Sequence, residues 1–301
     1  MVPGSLTEEG AVALLDSKTR DEPLMRLEDI HVSYPVAGGP PKKVLNGIDL
    51  TFERGQFVSV VGRTGCGKST LLRLVLGAEM PTEGRVIVGG REVLRPDRDR
   101  GYVPQKYSLF PDKTVLGNIT FGLEVEEFSL LTSLTPRFYR RRREFRAEAL
   151  RQLRHMGLQD CDAGKYPDQL SGGMQQRVAI AQALVMKPKV LLMDEAFSAL
   201  DPGTRAAMQR LIREVWKETK TTVLFVTHNI DEAVRLGTRV IVLAKECATG
   251  AEGSRVALDV AVPDADERLS KARFAEEIAG VVRRVEEATG HLRGEEEDIV
   301  P

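Results

Sequence analysis

The sequence predicts an α/β protein: a core of parallel strands, a small antiparallel β-layer on its N-terminal side and an inserted helical region. Three observations support this fold class. Short apolar runs at residues 57–61, 190–193 and 222–226 have the composition of strands that are buried on both faces of a parallel sheet. Residues 25–32 and 44–52 alternate between apolar and polar side chains, as half-exposed antiparallel strands do. Helical periodicity dominates a further region, residues 112–180.

The composition is ordinary for a soluble globular protein that forms one large domain with additions, or two modest domains. The 301 residues include 43 basic and 44 acidic side chains, and this balance disfavours a nucleic-acid binder. The three cysteines have no paired spacing that would indicate disulfides or a zinc site. The sequence contains neither an uninterrupted apolar run of about 18 residues nor a secretory signal. We therefore expect a cytoplasmic protein that works at a membrane only through a partner.

The chain divides into three predicted parts. Residues 1–23 are expected to be a flexible N-terminal arm, residues 24–245 the main domain and residues 246–301 a C-terminal extension. That extension contains an alternating strand at residues 256–262 and an amphipathic helix with apolar side chains at helical spacing. The apolar positions of this helix are Phe274, Ile278, Val281 and Val285.

Tyr34 ends the first alternating run and precedes a turn rich in glycine and proline. An exposed aromatic ring at this position could stack on an adenine base. The alternative is a strand-end tyrosine that packs on the turn. The residues around Tyr34 leave both interpretations open.

A glycine-rich loop follows the buried run at residues 57–61 and precedes a helix predicted for residues 68–76, which Gly77 would end. Its glycines allow the backbone N–H groups to point inward at an anion, and the helix N-terminus adds the positive end of its dipole. The pattern therefore predicts a phosphate-binding loop. This loop consists of Gly62, Arg63, Thr64, Gly65, Cys66, Gly67, Lys68, Ser69 and Thr70.

Two side chains of this loop carry the predicted chemistry. Lys68 provides an ammonium group for the β- and γ-phosphates, and the Ser69 hydroxyl is the expected Mg²⁺ ligand. The other interpretation is a glycine-rich turn that merely precedes a lysine, and the strand-then-helix context disfavours it. We therefore predict that the protein binds a nucleotide.

The helical region begins after two short predicted strands, residues 84–88 and 101–103, and a loop. Helices are predicted from residue 114 and over residues 138–156. The second is rich in arginine, and such a run is usually a solvated face. A contact with acidic lipid head groups or with a loop of a partner protein is the alternative. The arginines are Arg137, Arg140, Arg141, Arg142, Arg143, Arg146, Arg151 and Arg154.

A second anion-binding pocket is predicted at Ser171, Gly172 and Gly173, directly before a helix expected over residues 178–186. The serine is well placed to cap a helix, and the glycines expose backbone N–H groups at the positive end of its dipole. An ordinary glycine-rich helix start would explain the cap. It would not explain why one chain carries two such pockets.

Acidic and basic side chains follow two of the buried runs at the point where each ends. Asp194 and Glu195 end the run at residues 190–195, and His228 follows the run at residues 222–226. The carboxyl ends of parallel strands are where open α/β sheets bind ligands. Asp194 could hold Mg²⁺ through water, Glu195 could polarise the attacking water, and His228 could contact the γ-phosphate.

The order of these motifs resembles one family, the ATP-binding-cassette (ABC) ATPases, whose fold is a P-loop NTPase core with a helical subdomain. The resemblance covers residues 24–245. Besides the motifs above, it assigns Tyr34 to adenine stacking, Gln105 to the loop glutamine, residues 170–175 to the family signature and residues 198–201 to a dimer-contact loop. It implies that Glu195, His228, Lys68 and Gln105 are catalytic and that Ser69, Gln105 and Asp194 hold Mg²⁺.

The resemblance also implies how such a protein works. ATP would be held between the phosphate loop of one copy and the Ser171–Gly172–Gly173 segment of a second, head-to-tail copy. The dimer would act on transmembrane permease subunits from the cytoplasmic face of the cell membrane, with an extracytoplasmic solute-binding protein as an indirect partner. Gln105 would report the nucleotide state to the permease. No nucleic acid is expected as a partner.

The subfamily is suggested by a few residues. Residues 174–177 and 193–197 are similar to those of bacterial importers of the nitrate, sulfonate and taurine type. The glycine-betaine type is the alternative, but its C-terminal module is often longer than this tail. Met174 and Ala196 depart from the commonest family residues without touching a phosphate-binding group. Residues 123–147 look longer than usual for the family and are predicted to be a docking element for a specific partner.

Two other classes of protein also carry a phosphate loop. A soluble ABC ATPase of translation or DNA repair usually carries two cassettes, zinc cysteines or coiled-coil arms, which this sequence lacks. A phosphate-loop kinase would not explain the Ser171–Gly172–Gly173 segment. A further hypothesis concerns Cys66: the helix N-terminus would lower the pKa of its thiol, and alkylation there would block ATP binding.

Overall fold

The computed structural model describes residues 22–106, 108–127, 136–245 and 253–262, together with Glu276, Ala279, Gly280 and Arg283. In the described part of the chain, ten strands form one sheet, surrounded by six α-helices and two short 3₁₀ segments. The same part contains no helix that is long and apolar enough to cross a membrane.

The strands are β1 (Met25–Tyr34), β2 (Lys42–Phe52), β3 (Phe57–Val61), β4 (Glu83–Val88), β5 (Arg91–Glu92), β6 (Arg100–Val103), β7 (Val190–Asp194), β8 (Thr222–Val226), β9 (Arg239–Lys245) and β10 (Ser254–Ala261). Their order across the sheet is β5-β4-β1-β2-β10-β9-β3-β8-β7-β6. The helices are α1 (Lys68–Leu76), α2 (Val115–Glu127), α3 (Pro136–His155), α4 (Gly172–Leu184), α5 (Pro202–Thr219) and α6 (Ile230–Leu236).

The parallel half of the sheet consists of β9, β3, β8, β7 and β6. Every residue of β3 and β8 is buried, which explains why both strands are composed mainly of apolar residues. The predicted bounds of these two strands are confirmed. β9 and α6 were not identified from the sequence.

Each face of this parallel half packs on a different layer. Leu191 and Met193 of β7 belong to a core formed with α4 and α5, whereas Val190 and Leu192 face α1 and the antiparallel strands. The alternate residues of one strand therefore join two cores. This arrangement fixes the strand ends between the phosphate-loop helix and the helical region.

The antiparallel half contains β1, β2, β4 and β5. β10 connects it to the parallel half, because β10 pairs with β9 and, through Ser254 and Leu45, with β2. The strand expected in the C-terminal extension therefore lies inside the sheet of the main domain. The four apolar positions of the amphipathic helix expected after it, Phe274, Ile278, Val281 and Val285, lie outside the described residues.

The helix bounds follow from their caps. α1 begins at Lys68 and ends before Gly77, which has a φ of 79° and donates its N–H to the helix, as predicted. α4 begins at Gly172 rather than at residue 178, because the Ser171 hydroxyl accepts a hydrogen bond of 3.3 Å from the N–H of Met174. The expected start of this helix was therefore six residues too late. The cap itself was predicted.

The arginine-rich helix α3 packs on α2 and α4 through an apolar face that includes Ala149 and Leu153. Several of its arginines form ion pairs, some of them with α2. Arg141, for example, contacts Glu127 of α2 at 2.7 Å. The other pairs given by the structure join Arg141 to Glu144, Arg142 to Glu124, Arg151 to Glu148 and Arg154 to Asp160. These pairs favour the solvated-face interpretation for the arginines that form them.

Candidate functional site

The ends of three neighbouring parallel strands meet at one edge of the sheet. β3 leads into the glycine-rich loop, β7 ends at Asp194, and β8 leads to Thr227 and His228. A cleft of about 620 Å³ opens along this edge. Its lining includes Tyr34, Lys42, Val44, Thr64, Gly65, Gly67, Lys68, Ser69, Thr70, Gln105, Glu195 and His228. One continuous cleft thus joins most of the residues predicted to bind a nucleotide.

The glycine-rich loop needs its glycines for two different reasons. A Cβ atom at Gly62 would lie 2.4 Å from the carbonyl oxygen of Leu243 on β9, so the backbone approaches β9 too closely for any side chain. Gly67 has a φ of 91°, a left-handed conformation that side chains disfavour. The loop is therefore fixed by backbone geometry.

Lys68 lies across this loop. Its Nζ donates hydrogen bonds to the carbonyl oxygens of Gly62 at 2.7 Å and Arg63 at 2.9 Å, and the residue is 6% exposed. An ammonium group has three N–H donors, and these two carbonyls use two of them, so one donor is left to bind an anion. The lysine is thus held at the concave side of the loop that the sequence predicts to bind phosphate.

Ser69 and Asp194 bring together two oxygen ligands. The Ser69 hydroxyl donates to Asp194 Oδ1 at 3.2 Å. Burial raises the pKa of the Asp194 carboxyl above its ordinary value; the Ser69 hydrogen bond opposes this change, and the charge of Glu195 adds to it. A hydroxyl and a carboxylate suit Mg²⁺, which usually takes one or two protein ligands and completes its shell with water and substrate phosphates. This donor set fits the metal predicted there.

Glu195 is held by residues from two other strand ends. Its carboxylate accepts a hydrogen bond of 3.0 Å from Gln105 Nε2 and lies 3.3 Å from His228 Nδ1. The backbone of Glu195 has a φ of 44°, and its N–H donates to the carbonyl of Val226 on β8. This unusual conformation directs the chain sharply away from the strand end. It is a strained position of the kind found at functional sites.

Tyr34 is the last residue of β1 and lines the same cleft as Glu195. Its hydroxyl donates a hydrogen bond of 2.5 Å to Glu79 Oε1, and the residue is half-buried. The sequence leaves two interpretations of Tyr34 open: adenine stacking, and packing on the glycine- and proline-rich turn. The hydroxyl contacts Glu79, which is not part of that turn. The ring lines the cleft, as adenine stacking would require.

The second predicted anion pocket is a separate cavity. Ser171 and Gly173 line a space of about 460 Å³ together with Cys161, Lys165 and Thr204, among others. None of the described residues that line this cavity also lines the cleft of the phosphate loop. The chain therefore does not bring its two predicted anion pockets together.

The loop between β7 and α5 contains the predicted dimer-contact residues 198–201. Arg205 of α5 donates hydrogen bonds to the carbonyl oxygens of Phe197 at 3.1 Å, Ser198 at 3.3 Å and Leu200 at 2.9 Å. Asp201 caps α5 by accepting the N–H of Thr204 at 3.0 Å. This loop is thus held in one conformation by the helix that follows it.

The expectation that the helix N-terminus lowers the pKa of the Cys66 thiol is wrong. Cys66 is 3% exposed, and burial raises the pKa of its thiol, although the nearby Lys68 charge and backbone N–H groups act in the opposite direction. Desolvation therefore outweighs the helix N-terminus that was expected to lower this pKa. Cys161 is the exposed thiol among the described cysteines.

Sequence reasoning missed three polar side chains near the cleft. Arg73 donates to Glu79 Oε2 at 3.0 Å, so that both residues adjoin Tyr34. Tyr102 of β6 interacts with Asp194, and its pKa is raised by burial and by the Asp194 charge. No motif indicates these residues, because their contacts with Tyr34 and Asp194 join positions that are far apart in the sequence.

Comparisons with known proteins agree with this geometry. A family model described as "ABC transporter" matches residues 45–198. An uncharacterized ABC transporter ATP-binding protein of Methanocaldococcus jannaschii is 46% identical over 201 residues, which are 67% of this chain and 70% of the relative. A taurine import ATP-binding protein of Rhizobium johnstonii is 40% identical over 221 residues, which are 73% of this chain and 79% of the relative.

A longer relative and a solved structure complete the comparison. A bicarbonate transport ATP-binding protein of Synechococcus elongatus is 42% identical over 245 residues, but this chain spans only 34% of its length. The solved structure is a dimeric, post-hydrolysis ATP-binding cassette bound to ADP and Pi, with a TM-score of 0.65 and 30% identity. The match covers 80% of this chain and 100% of the chain in the solved structure. From the fold, the cleft and these matches, the chain belongs to the ABC transporter family, as an ATP-binding cassette that hydrolyses ATP.

Proposed function

We propose that this chain is the ATPase subunit of a membrane importer and that it works as a head-to-tail dimer with two ATP molecules between the copies. The observation that carries this proposal is the separation of the two anion pockets within one chain. A single copy would provide the phosphate-loop half of one ATP site and the Ser171–Gly172–Gly173 half of the other. A second copy, related by a two-fold axis, would complete both halves at once.

The chemistry of each half supports this arrangement. The phosphate loop and Lys68 would hold the β- and γ-phosphates of an ATP molecule from one side. The N-terminus of α4, with the Ser171 hydroxyl and the backbone N–H groups of Gly172 and Gly173, would face the same γ-phosphate from the other copy. The dimeric cassette among the solved structures is a precedent for such a pair.

Hydrolysis is assigned to the three residues that meet at the strand ends. Glu195 would accept a proton from the attacking water, and the contacts from Gln105 and His228 would orient its carboxylate. His228, whose side chain is 58% exposed, would turn to the γ-phosphate. Ser69 and Asp194, with Gln105, would hold Mg²⁺. When bound, this ion supplies positive charge at the phosphate oxygens.

Import is supported by the names of the relatives. One is named for taurine import and another for bicarbonate transport, at 40% and 42% identity to this chain. These two solutes are small and carry an acidic group, and the two relatives have similar sequence identity to this chain. We therefore infer a small anionic or organic solute as the cargo, chosen by a permease and by an extracytoplasmic solute-binding protein. The chain would then lie at the cytoplasmic face of the membrane, bound to the permease.

The experiment that tests this function is affinity capture from gently solubilised native membranes in the presence of ATP. The bait is the Glu195→Gln variant, which should bind ATP without hydrolysing it and so preserve the dimer. A Lys68→Ala bait, with weakened nucleotide binding, serves as the control. We expect the first bait to recover a multi-span membrane protein together with a second copy of the chain.

Two other outcomes would contradict the proposal. Recovery of only ribosomal or DNA-repair proteins would identify a soluble ABC ATPase instead. A bait that stays monomeric with ATP, as measured by light scattering, would exclude the two-copy site even if a membrane protein is recovered.

A further inference from the structure

We propose that Glu79 and Arg73 are positioning residues that fix the Tyr34 ring at the base end of the cleft and couple it to the phosphate-loop helix. This inference rests on the proposed function, because it assigns a nucleotide base to that end of the cleft. It goes beyond the proposed function in naming two residues that touch neither the base nor the phosphates. No sequence motif indicates them.

The hydroxyl of Tyr34 is the first element of this contact network. It donates to Glu79 Oε1 at 2.5 Å, a short distance for an O–H···O⁻ hydrogen bond. Tyr34 is the last residue of β1, and residues 35–43 that follow it are exposed. The ring packs against the core beside α1, and its hydroxyl is held by Glu79.

Arg73 connects this contact to the phosphate loop. It lies in the last turn of α1, where Nε donates to Glu79 Oε2 at 3.0 Å and Nη2 approaches the Tyr34 hydroxyl at 3.4 Å. The same Nη2 donates to Thr70 Oγ1 at 3.3 Å. Thr70 is the final residue of the phosphate loop and is 5% exposed. One guanidinium therefore contacts both the Tyr34 side chain and the last residue of the phosphate loop.

The charges of the network favour this geometry. Glu79 accepts from Tyr34 with one oxygen and from Arg73 with the other, so both of its carboxylate oxygens are occupied. Burial lowers the pKa of Arg73, but the hydrogen bonds with Tyr34 and Glu79 outweigh this effect and raise it. The side chain of Glu79 is 22% exposed and that of Arg73 is 48% exposed, so solvent partly screens the ion pair, and the geometry of the hydrogen bonds carries the argument.

The two ends of the cleft allow the role to be tested. The Tyr34 ring would contact only the base, whereas the phosphate loop would contact only the triphosphate. If the network positions the ring, its loss weakens ATP binding and leaves the binding of inorganic triphosphate unchanged. If the network merely supports the fold of α1, both ligands bind less well.

The experiment is isothermal titration of the full chain with Mg-ATP and, separately, with Mg-triphosphate. The variants are Tyr34→Phe, which keeps the ring and removes the hydroxyl, and Glu79→Gln, which keeps the volume and removes the charge. Glu28→Gln is the matched control, because Glu28 forms a comparable ion pair with Arg85 on the same β-layer. Thermal melting of each variant checks that it folds.

We expect Tyr34→Phe and Glu79→Gln each to raise the Kd for ATP by about tenfold, the loss of one charge-assisted hydrogen bond. The Kd of the double variant for ATP should be about equal to the higher of the two single-variant values, because both substitutions remove the same contact. Triphosphate affinity should stay within about twofold in all of them, an effect of a few tenths of a kcal/mol.

Equal losses for ATP and triphosphate would overturn the assignment in favour of a structural role, and unchanged ATP affinity would overturn it outright. A destabilised Tyr34→Phe variant leaves Glu79→Gln to decide by the same comparison. An unaltered chain that binds triphosphate but not ATP would contradict the proposed function itself. That failure differs from a failure of the network, which appears only in the variants.

Discussion

Gln105 and Glu195 are joined by a hydrogen bond of 3.0 Å from the side-chain amide to the carboxylate. The two residues lie 90 positions apart, one after β6 and the other directly after β7. The free oxygen of the same carboxylate lies 3.3 Å from His228 Nδ1. The carboxylate is therefore held from both sides, which pre-organises it for proton transfer.

The first prediction concerns this carboxylate. Glu195→Gln should lower the rate of ATP hydrolysis by at least about 100-fold, because an amide cannot accept the proton of the attacking water. ATP affinity should change little, since the phosphate loop is intact. Phosphate release and ATP titration measure the two quantities. The exposed Glu214→Gln on α5 is the control and should retain full activity. A Glu195→Gln variant with more than half of the normal rate would contradict the role.

Lys68 is the subject of the second prediction. Lys68→Ala should raise the Kd for ATP by at least about tenfold, because it removes a charge that binds phosphate oxygens. Lys42 lines the same cleft but is exposed, so Lys42→Ala should have a much smaller effect. Fluorescence titration with a nucleotide analogue compares the two. Similar losses in both variants would mean that general positive charge, and not the position of Lys68, attracts the nucleotide.

The third prediction uses the contact between the signature segment and α5. A Cβ atom at position 173 would lie 2.6 Å from Thr204 Cγ2, so Gly173→Ala should lower the melting temperature by about 2–8 °C through overpacking. Thr204→Ser removes this methyl group, and the double variant should recover the stability. ATPase activity should stay low in the double variant, because backbone access to phosphate is still blocked. Recovery of full activity together with stability would show that position 173 is only a packing site.

Cysteine reactivity provides the fourth prediction. Since burial raises the pKa of the Cys66 thiol, alkylation near neutral pH should modify the exposed Cys161 at least about ten times faster than Cys66. The rate at Cys66 should continue to rise with pH beyond the usual thiol range, because the thiolate forms later there. Mass spectrometry of tryptic peptides follows both sites. Once Cys66 is alkylated, ATP binding should still be lost, because the residue lies inside the phosphate loop. Faster reaction at Cys66 would restore the sequence-based expectation of an activated thiol.

The helical region gives the fifth prediction. Residues 123–147 were predicted to dock a partner, and their deletion was expected to stop transport and spare basal ATPase activity. This segment contains the end of α2 and the first half of α3, and Arg141 of α3 pairs with Glu127 of α2 within it, so a deletion would also break the packing of these helices. Charge variants are therefore the sharper test.

Arg140→Gln combined with Arg143→Gln removes exposed charge from α3 and should lower coupled transport with the captured permease while sparing basal hydrolysis. Arg54→Gln, an exposed charge in the turn before β3, is the control. Transport in proteoliposomes and ATPase activity in detergent are the two measurements. Loss of both activities in the α3 variant would point to a structural role for its arginines.

The sequence predicted the phosphate loop and the strand ends correctly because both depend on local patterns. Gly62 to Thr70 form a contiguous motif, and an apolar run that ends in Asp194 and Glu195 shows where β7 stops. The contact between Tyr34 and Glu79 could not be predicted, because it joins residues 45 positions apart without a motif. Cys66 was misjudged since its pKa depends on whether burial or the helix dipole dominates, which only packing decides.

The place of β10 escaped prediction for a related reason. Its alternating pattern indicated a strand, but the pattern of a strand does not specify its neighbours. β10 lies between β2 and β9, which are separated by almost 190 residues of chain. Only the three-dimensional structure reveals that the apparent extension belongs to the sheet of the main domain.

This position of β10 has a consequence for how the protein is made. A ribosome releases the β-layer that carries Tyr34 early and the phosphate loop soon afterwards. The strand whose hydrogen bonds join these two halves of the sheet emerges only after residue 254 has been added. Such long-range pairing is slow to form. The cleft therefore gains its hydrogen-bonded frame only after β10 has been made, and a nascent chain that already displays its glycine-rich loop is not yet a complete ATP-binding unit.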